Sequence, residues 1–149
     1  MDARELSRTI KSGETMTVEF KRGERKKLND ADIVEAATCL ANGEGGLLLI
    51  GVEDDGTVTG IEPRHGDTTV PHRLQAMILN LTQLPLSTAV SVVEVEGLPV
   101  AVVEVPRVEI PVGTKSGRYL KRSLRSDGTP ECVAYPVLEM IANGMTAMG

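Results

Sequence analysis

Leu47-Leu48-Leu49-Ile50-Gly51-Val52 is an unbroken apolar run entered through Gly45-Gly46. Its length and lack of alternation fit a central strand covered on both faces, and the rest of the chain must supply that cover. A chain of 149 residues suffices for one compact domain, burying roughly 70% of its unfolded surface, and is too short for two ordinary ones. No apolar stretch approaches the ~18 residues of a membrane helix, and Met1-Asp2-Ala3-Arg4-Glu5 lacks the basic-then-apolar pattern of a signal peptide. These features place the chain in the cytoplasm, with no membrane partner. Cys39 and Cys132 are too few for a disulfide framework and are expected as free, buried thiols.

Around the central run the pattern alternates between strand and helix. A polar leader precedes Thr17-Val18-Glu19-Phe20-Lys21, whose period of two predicts a strand with one wet face. Asn29 or Asp30 can cap a helix in which Ile33, Ala36, Ala37, Leu40 and Ala41 form an apolar stripe, stopped by Asn42-Gly43. Gly43-x-Gly45-Gly46 closes a helix rather than opening one, so its glycines suit a left-handed cap and close backbone packing better than a phosphate. Asp55-Gly56 signals a hairpin returning through Thr57-Val58-Thr59-Gly60-Ile61. Pro71 opens a second helix carrying Leu74, Met77, Ile78 and Leu81, and two Val-rich runs flank Glu96-Gly97 as a second hairpin. A strand around Tyr119-Leu120-Lys121-Arg122, a turn at Asp127-Gly128 and a short helix from Pro136 complete the order. The predicted fold is α+β: a mostly antiparallel sheet with two helices packed on one face and a short C-terminal helix. Residues 1–142 form the domain, and 143–149 read as a flexible tail or the start of a linker to a further C-terminal domain.

Charge is clustered rather than abundant. The net charge of −5 argues against polycation behaviour, yet ten of the sixteen Lys and Arg residues fall in two stretches: Lys21, Arg22, Arg25, Lys26, Lys27 and Lys115, Arg118, Lys121, Arg122, Arg125. Side by side they would make a phosphate-binding strip with steep salt dependence, whereas apart they are solvated loops. Three aromatics and no Trp limit base stacking, so backbone-dominated, weakly sequence-selective contact is the expected mode. His65 beside Arg64 suits phosphate contact, although a loop histidine is ordinarily only solvated. The Val-rich hairpin offers an apolar edge needing cover, which points to a homodimer.

Val18-Glu19-Phe20-Lys21, the helix closing on Leu40-Ala41-Asn42-Gly43-Glu44-Gly45-Gly46, the run to Val52-Glu53-Asp54-Asp55-Gly56-Thr57-Val58-Thr59-Gly60-Ile61 and the later Tyr119-Leu120-Lys121-Arg122-Ser123 together resemble the Schlafen AlbA-like domain. The resemblance runs from about Glu14 to about Met140. It implies a DNA-binding module of the bacterial or archaeal transcriptional-regulator type, with DNA or RNA as partner and no cofactor. Its Schlafen branch implies an alternative, a metal-dependent endoribonuclease, for which Glu14 and Glu19 with Asp54 or Asp55 match the catalytic acids and Mg²⁺ or Mn²⁺ would be the ion. The zinc site of that branch has no matching ligands here. A protein-interaction or dimerisation module is the further alternative.

Overall fold

The computed structural model describes residues 1–148. Helix α1 (Ala3–Lys11) starts on Asp2, whose side chain accepts from the Glu5 amide while Glu5 reaches back, a reciprocal cap. The polar leader is thus helical, and it turns Leu6 and Ile10 inward. Strand β1 (Val18–Lys21) leads into α2 (Asp30–Asn42), which is capped by Asn29 with Asp32 at the third position. Strand β2 (Gly46–Ile50) then lies parallel to β1, Val18 opposite Leu47 and Lys21 opposite Ile50. β1-α2-β2 is therefore a crossover unit, and this one parallel pairing sits in an otherwise antiparallel sheet.

Helix α3 (Pro71–Asn80) and the short strand β3 (Thr82–Gln83) precede β4 (Ala89–Val95) and β5 (Leu98–Val105). β4 and β5 form the expected hairpin, turned through Glu96 (φ 55°) and Gly97 (φ 75°), the left-handed pair that a tight hairpin demands. The main sheet runs β1-β2-β5-β4. Leu48, Ile50, Ala101, Val103 and Val105 pack on one face against Ile33, Ala37 and Leu40 of α2 and Leu74 and Ile78 of α3. On the other face Phe20, Leu49, Val100 and Val102 pack with Leu6 and Ile10 of α1. The apolar run is thus covered on both sides, as its lack of alternation requires.

The remaining elements wrap the end of α2. Strand β6 (Gly113–Thr114) pairs with β3, and β7 (Leu120–Leu124) pairs with β8 (Pro130–Ala134) as a separate hairpin against α2. Buried Asn42 holds this junction: its Nδ2 donates to the Val112 and Leu120 carbonyls at 2.7 Å, and its Oδ1 accepts from the Val112 amide at 2.9 Å. Gly46 permits the tightest approach, since a Cβ there would stand 2.0 Å from the Thr17 carbonyl oxygen.

Two expectations need correction. Cys39 and Cys132 are bonded to each other rather than free: packing of α2 on the β7–β8 hairpin brings their Cα atoms to 5.9 Å, within bridging range. The Asp55-Gly56 turn yields no returning strand, only a Val52–Val58 bridge, because the Thr59 and Gly60 amides both turn onto the Gly51 carbonyl. Helix α4 (Val137–Met148) closes the described residues. No helix among the described residues is long and apolar enough to cross a membrane.

Replacing Asn42 by Ala strands three buried backbone groups, and a loss of about 2–4 kcal/mol is expected in urea unfolding. An unchanged midpoint would mean that the junction is held otherwise.

Candidate nucleic-acid interface

The first basic stretch leaves the sheet at the end of β1 and forms the loop into α2. Lys21 pairs with Glu19 (3.4 Å), Arg22 with Glu53 (2.9 Å) and Lys27 with Glu24 (3.5 Å). Arg25 and Lys26 are exposed and have no carboxylate partner among the described residues. Gly23 locks the start of the loop, because a Cβ there would meet the Gly60 carbonyl oxygen at 2.2 Å. The loop's backbone is pinned at Gly23 while its cations project outward.

The second stretch is more heavily neutralised. Arg118 pairs with Glu35, Lys121 with Glu139 while lying over the Tyr135 ring, and Arg125 with Glu131 at 2.9 Å. Lys115 donates to the Asn80 carbonyl. Arg122 is no surface contact at all: only 2% exposed, it donates to the Thr15 and Val18 carbonyls and to Glu19 (3.0 Å). Its place in β7 explains this. Period two puts Arg122 on the same side as buried Leu120, toward β1, and Lys121 on the other. The two stretches meet where Lys21 and Arg118 line one cleft, but Glu19, Asp32 and Glu35 line it too. No continuous basic strip results.

Glu14, Glu19 and Asp55 of the nuclease alternative have other engagements, and Asp54 is exposed. Glu14 accepts the Phe20 amide at 2.8 Å, capping an outward N–H of edge strand β1, and burial pushes its carboxyl above the ordinary range. Glu19 is held by Arg122 and Lys21. Asp55 is fully exposed and folds onto Thr57, and those hydrogen bonds hold its carboxyl below the usual range. Among the described residues no three His, Cys, Asp or Glu side chains converge as a metal site would require.

A cleft of about 510 Å³ is balanced in charge, lined by Arg107 and Lys121 with Glu44 and Glu109 beside Tyr135. A smaller one of about 340 Å³ is not balanced: Arg25, Arg64, His65 and Arg73 line it with a single acid, Asp30. Arg64 and Arg73 lie outside both charged stretches, and density of charge along the chain does not reveal them. Only the Arg64-His65 pair gives a sequence signal there.

An α+β domain with a β1-α2-β2 crossover, a hairpin-completed sheet and a cationic β1–α2 loop is the class of protein that these features define. Residues 14–129 match the family described as Schlafen, AlbA_2, and the chain belongs to that family. No curated protein matches it significantly. Among solved structures it is similar to the DIP2311 protein from Corynebacterium diphtheriae, with a TM-score of 0.67 and 19% identity over 92% of this chain. The chain spans only 30% of that structure's length. It is also similar to the N-terminal domain of the "Putative ATP-dependent DNA Helicase RecG-related Protein" from Nitrosomonas europaea, with a TM-score of 0.55, 21% identity, and coverage of 78% of this chain and 82% of that one. At these identities the likeness is one of fold.

Arg122→Gln leaves Glu19 buried beside an incomplete partner, and a destabilisation of about 3–5 kcal/mol is expected by urea titration. Arg122→Lys would not restore it, since one ammonium cannot reach three acceptors spread over Thr15, Val18 and Glu19. Glu14 gives a pH signature. Its folded-state pKa lies above 4.5, so its favourable contribution is present below the unfolded value and is lost as pH rises through the folded one. Glu14→Gln, which keeps an acceptor for Phe20, should therefore melt above the parent at pH 7 but not at pH 4. Equal shifts at both values would refute this account.

Proposed function

We propose that the chain is a nucleic-acid-binding module that grips the phosphate backbone through the β1–α2 loop, with weak sequence selectivity. The observation that carries this reading is the pair of carboxylate-free cations, Arg25 and Lys26, on a pinned loop of a Schlafen, AlbA_2 domain. Membership of that family and the helicase name of one structural neighbour support nucleic acid as the partner. Lys27 flanks the pair, and its exposed ion pair with Glu24 is worth only about 0–1 kcal/mol, so a phosphate can exchange for the carboxylate; Arg22 and Lys21 also flank it, paired with the half-buried Glu53 and the buried Glu19. Lys115, Arg118, Lys121 and Arg125 stand as secondary contacts, reached by a long strand only after their own acids yield. Of the loop's two guanidinium forks Arg22 is held by Glu53 and Arg25 is free of a carboxylate, which fits positioning rather than readout. Duplex DNA is the leading partner and a transcriptional regulator the leading setting. The homodimer would form on β4, the sheet's hairpin edge.

Fluorescence anisotropy with labelled duplex DNA, single-stranded DNA and RNA across salt tests the reading. Affinity should fall linearly on a log–log plot, and Lys26→Ala should lower the slope by about 1. Absence of binding to all three at low salt would overturn it.

A further inference from the structure

The cleft of about 340 Å³ beside α3 gathers cations from three separate parts of the chain: Arg25 from the β1–α2 loop, Arg64 and His65 from the β2–α3 loop, and Arg73 from the first turn of α3. Arg64 is a fixed wall. Its side chain is 9% exposed, and it donates to the Leu28 carbonyl and to Asp30, both at 2.9 Å. Arg25 and Arg73 are exposed and face no carboxylate partner among the described residues. Glu62 touches this region only by accepting the Arg25 amide at 3.3 Å and does not line the cleft.

The imidazole is oriented as a donor. Nδ1 of His65 accepts the Val70 amide at 2.8 Å, so the ring proton of the neutral tautomer sits on Nε2. Burial, with Arg73 and Arg64 adding to it, holds His65 below its ordinary range and so favours that neutral tautomer. Helix α3 reinforces the positive potential: it opens on Val70 and Pro71 without a side-chain cap and has no acid in its first turn. Leu74 and Met77 supply an apolar wall on the same helix.

We infer that this cleft is a phosphate-binding pocket that takes a phosphomonoester, with Arg25 and Arg73 as its mobile clamps and Arg64 and His65 as its fixed donors. Three guanidiniums against the Asp30 carboxylate leave two positive charges to be matched. A phosphomonoester, with a second pKa of about 6, carries close to two negative charges at neutral pH, whereas an internal phosphodiester carries one. The apolar wall accepts the sugar or base attached to that phosphate. Two sources offer such a group, the 5′ end of a strand and a free nucleotide, and the pocket's chemistry holds whether or not the loop binds a strand internally.

The test compares AMP with adenosine, and a 5′-phosphorylated DNA 12-mer with the same strand bearing a 5′-hydroxyl, by calorimetry on the full chain. Signals of the His65 ring are followed by NMR alongside. AMP should bind and adenosine should not, and AMP should move the His65 signals more than those of His72. A strand-end source adds a preference of about tenfold or more for the phosphorylated 12-mer. Arg73→Gln and, independently, Arg25→Gln should abolish the AMP signal with melting temperature retained, while Lys26→Ala leaves it in place. AMP binding without a strand-end preference supports the pocket with a free nucleotide as its source. AMP no better than adenosine, equal binding of the two 12-mers and silent Arg73→Gln together overturn the pocket. Equal 12-mer binding would then still support the loop as a strand-binding surface, whereas AMP binding with neither 12-mer bound upholds the pocket and rejects the strand reading.

Discussion

A guanidinium buried against the edge of a sheet organises this molecule. Strand β1 ends the main sheet, and its outward carbonyls and amides would otherwise face solvent or another chain. Arg122 crosses from the β7–β8 hairpin to bond the Val18 and Thr15 carbonyls and to meet Glu19, while Glu14 takes the Phe20 amide. Edge blunting and charge burial are thus solved together. An ion pair this deep needs its remaining donors satisfied, and the β1 backbone satisfies them. The same contacts explain why two glutamates and one arginine that look functional along the chain are engaged within the fold.

The arrangement also separates two kinds of basic residue that composition treats alike. Seven of the ten clustered cations face carboxylates. Of the three without one, Arg25 and Lys26 lie on the β1–α2 loop, where Arg25 lines the cleft beside α3, and Lys115 of the second stretch donates to the Asn80 carbonyl. Partners such as Glu53 for Arg22 and Glu35 for Arg118 come from other elements, so the neutralisation is a tertiary property.

Much of the fold was legible because the patterns were local. The unbroken run at Leu47 fits its double cover, the stripe from Ile33 to Ala41 its helix, Asn29 its cap, and Glu96-Gly97 its hairpin. Helix α1 was less visible, having only Leu6 and Ile10 as apolar anchors, although the Asp2–Glu5 spacing holds a capping signal. Asp55-Gly56 misled because flanking Gly51 and Gly60 bend the chain away before a second strand can pair. At the site, the β1–α2 loop could be found from charge density, but Arg73 could not, since its neighbours in space are distant in sequence. The inward turn of Arg122 had a signal in its shared parity with Leu120, outweighed by the expectation that an arginine among basic residues is solvated.

The Cys39–Cys132 bond changes what the unfolded chain is. With the bond intact the denatured molecule is a ring with two tails rather than a line. Strands β2, β4 and β5 lie within the ring, whereas β1 is carried on the N-terminal tail. Of the main sheet, only the parallel edge must be gathered from a free end. The residue that secures it, Arg122, belongs to the ring, so closure of the sheet is the capture of a loose tail by an already joined loop.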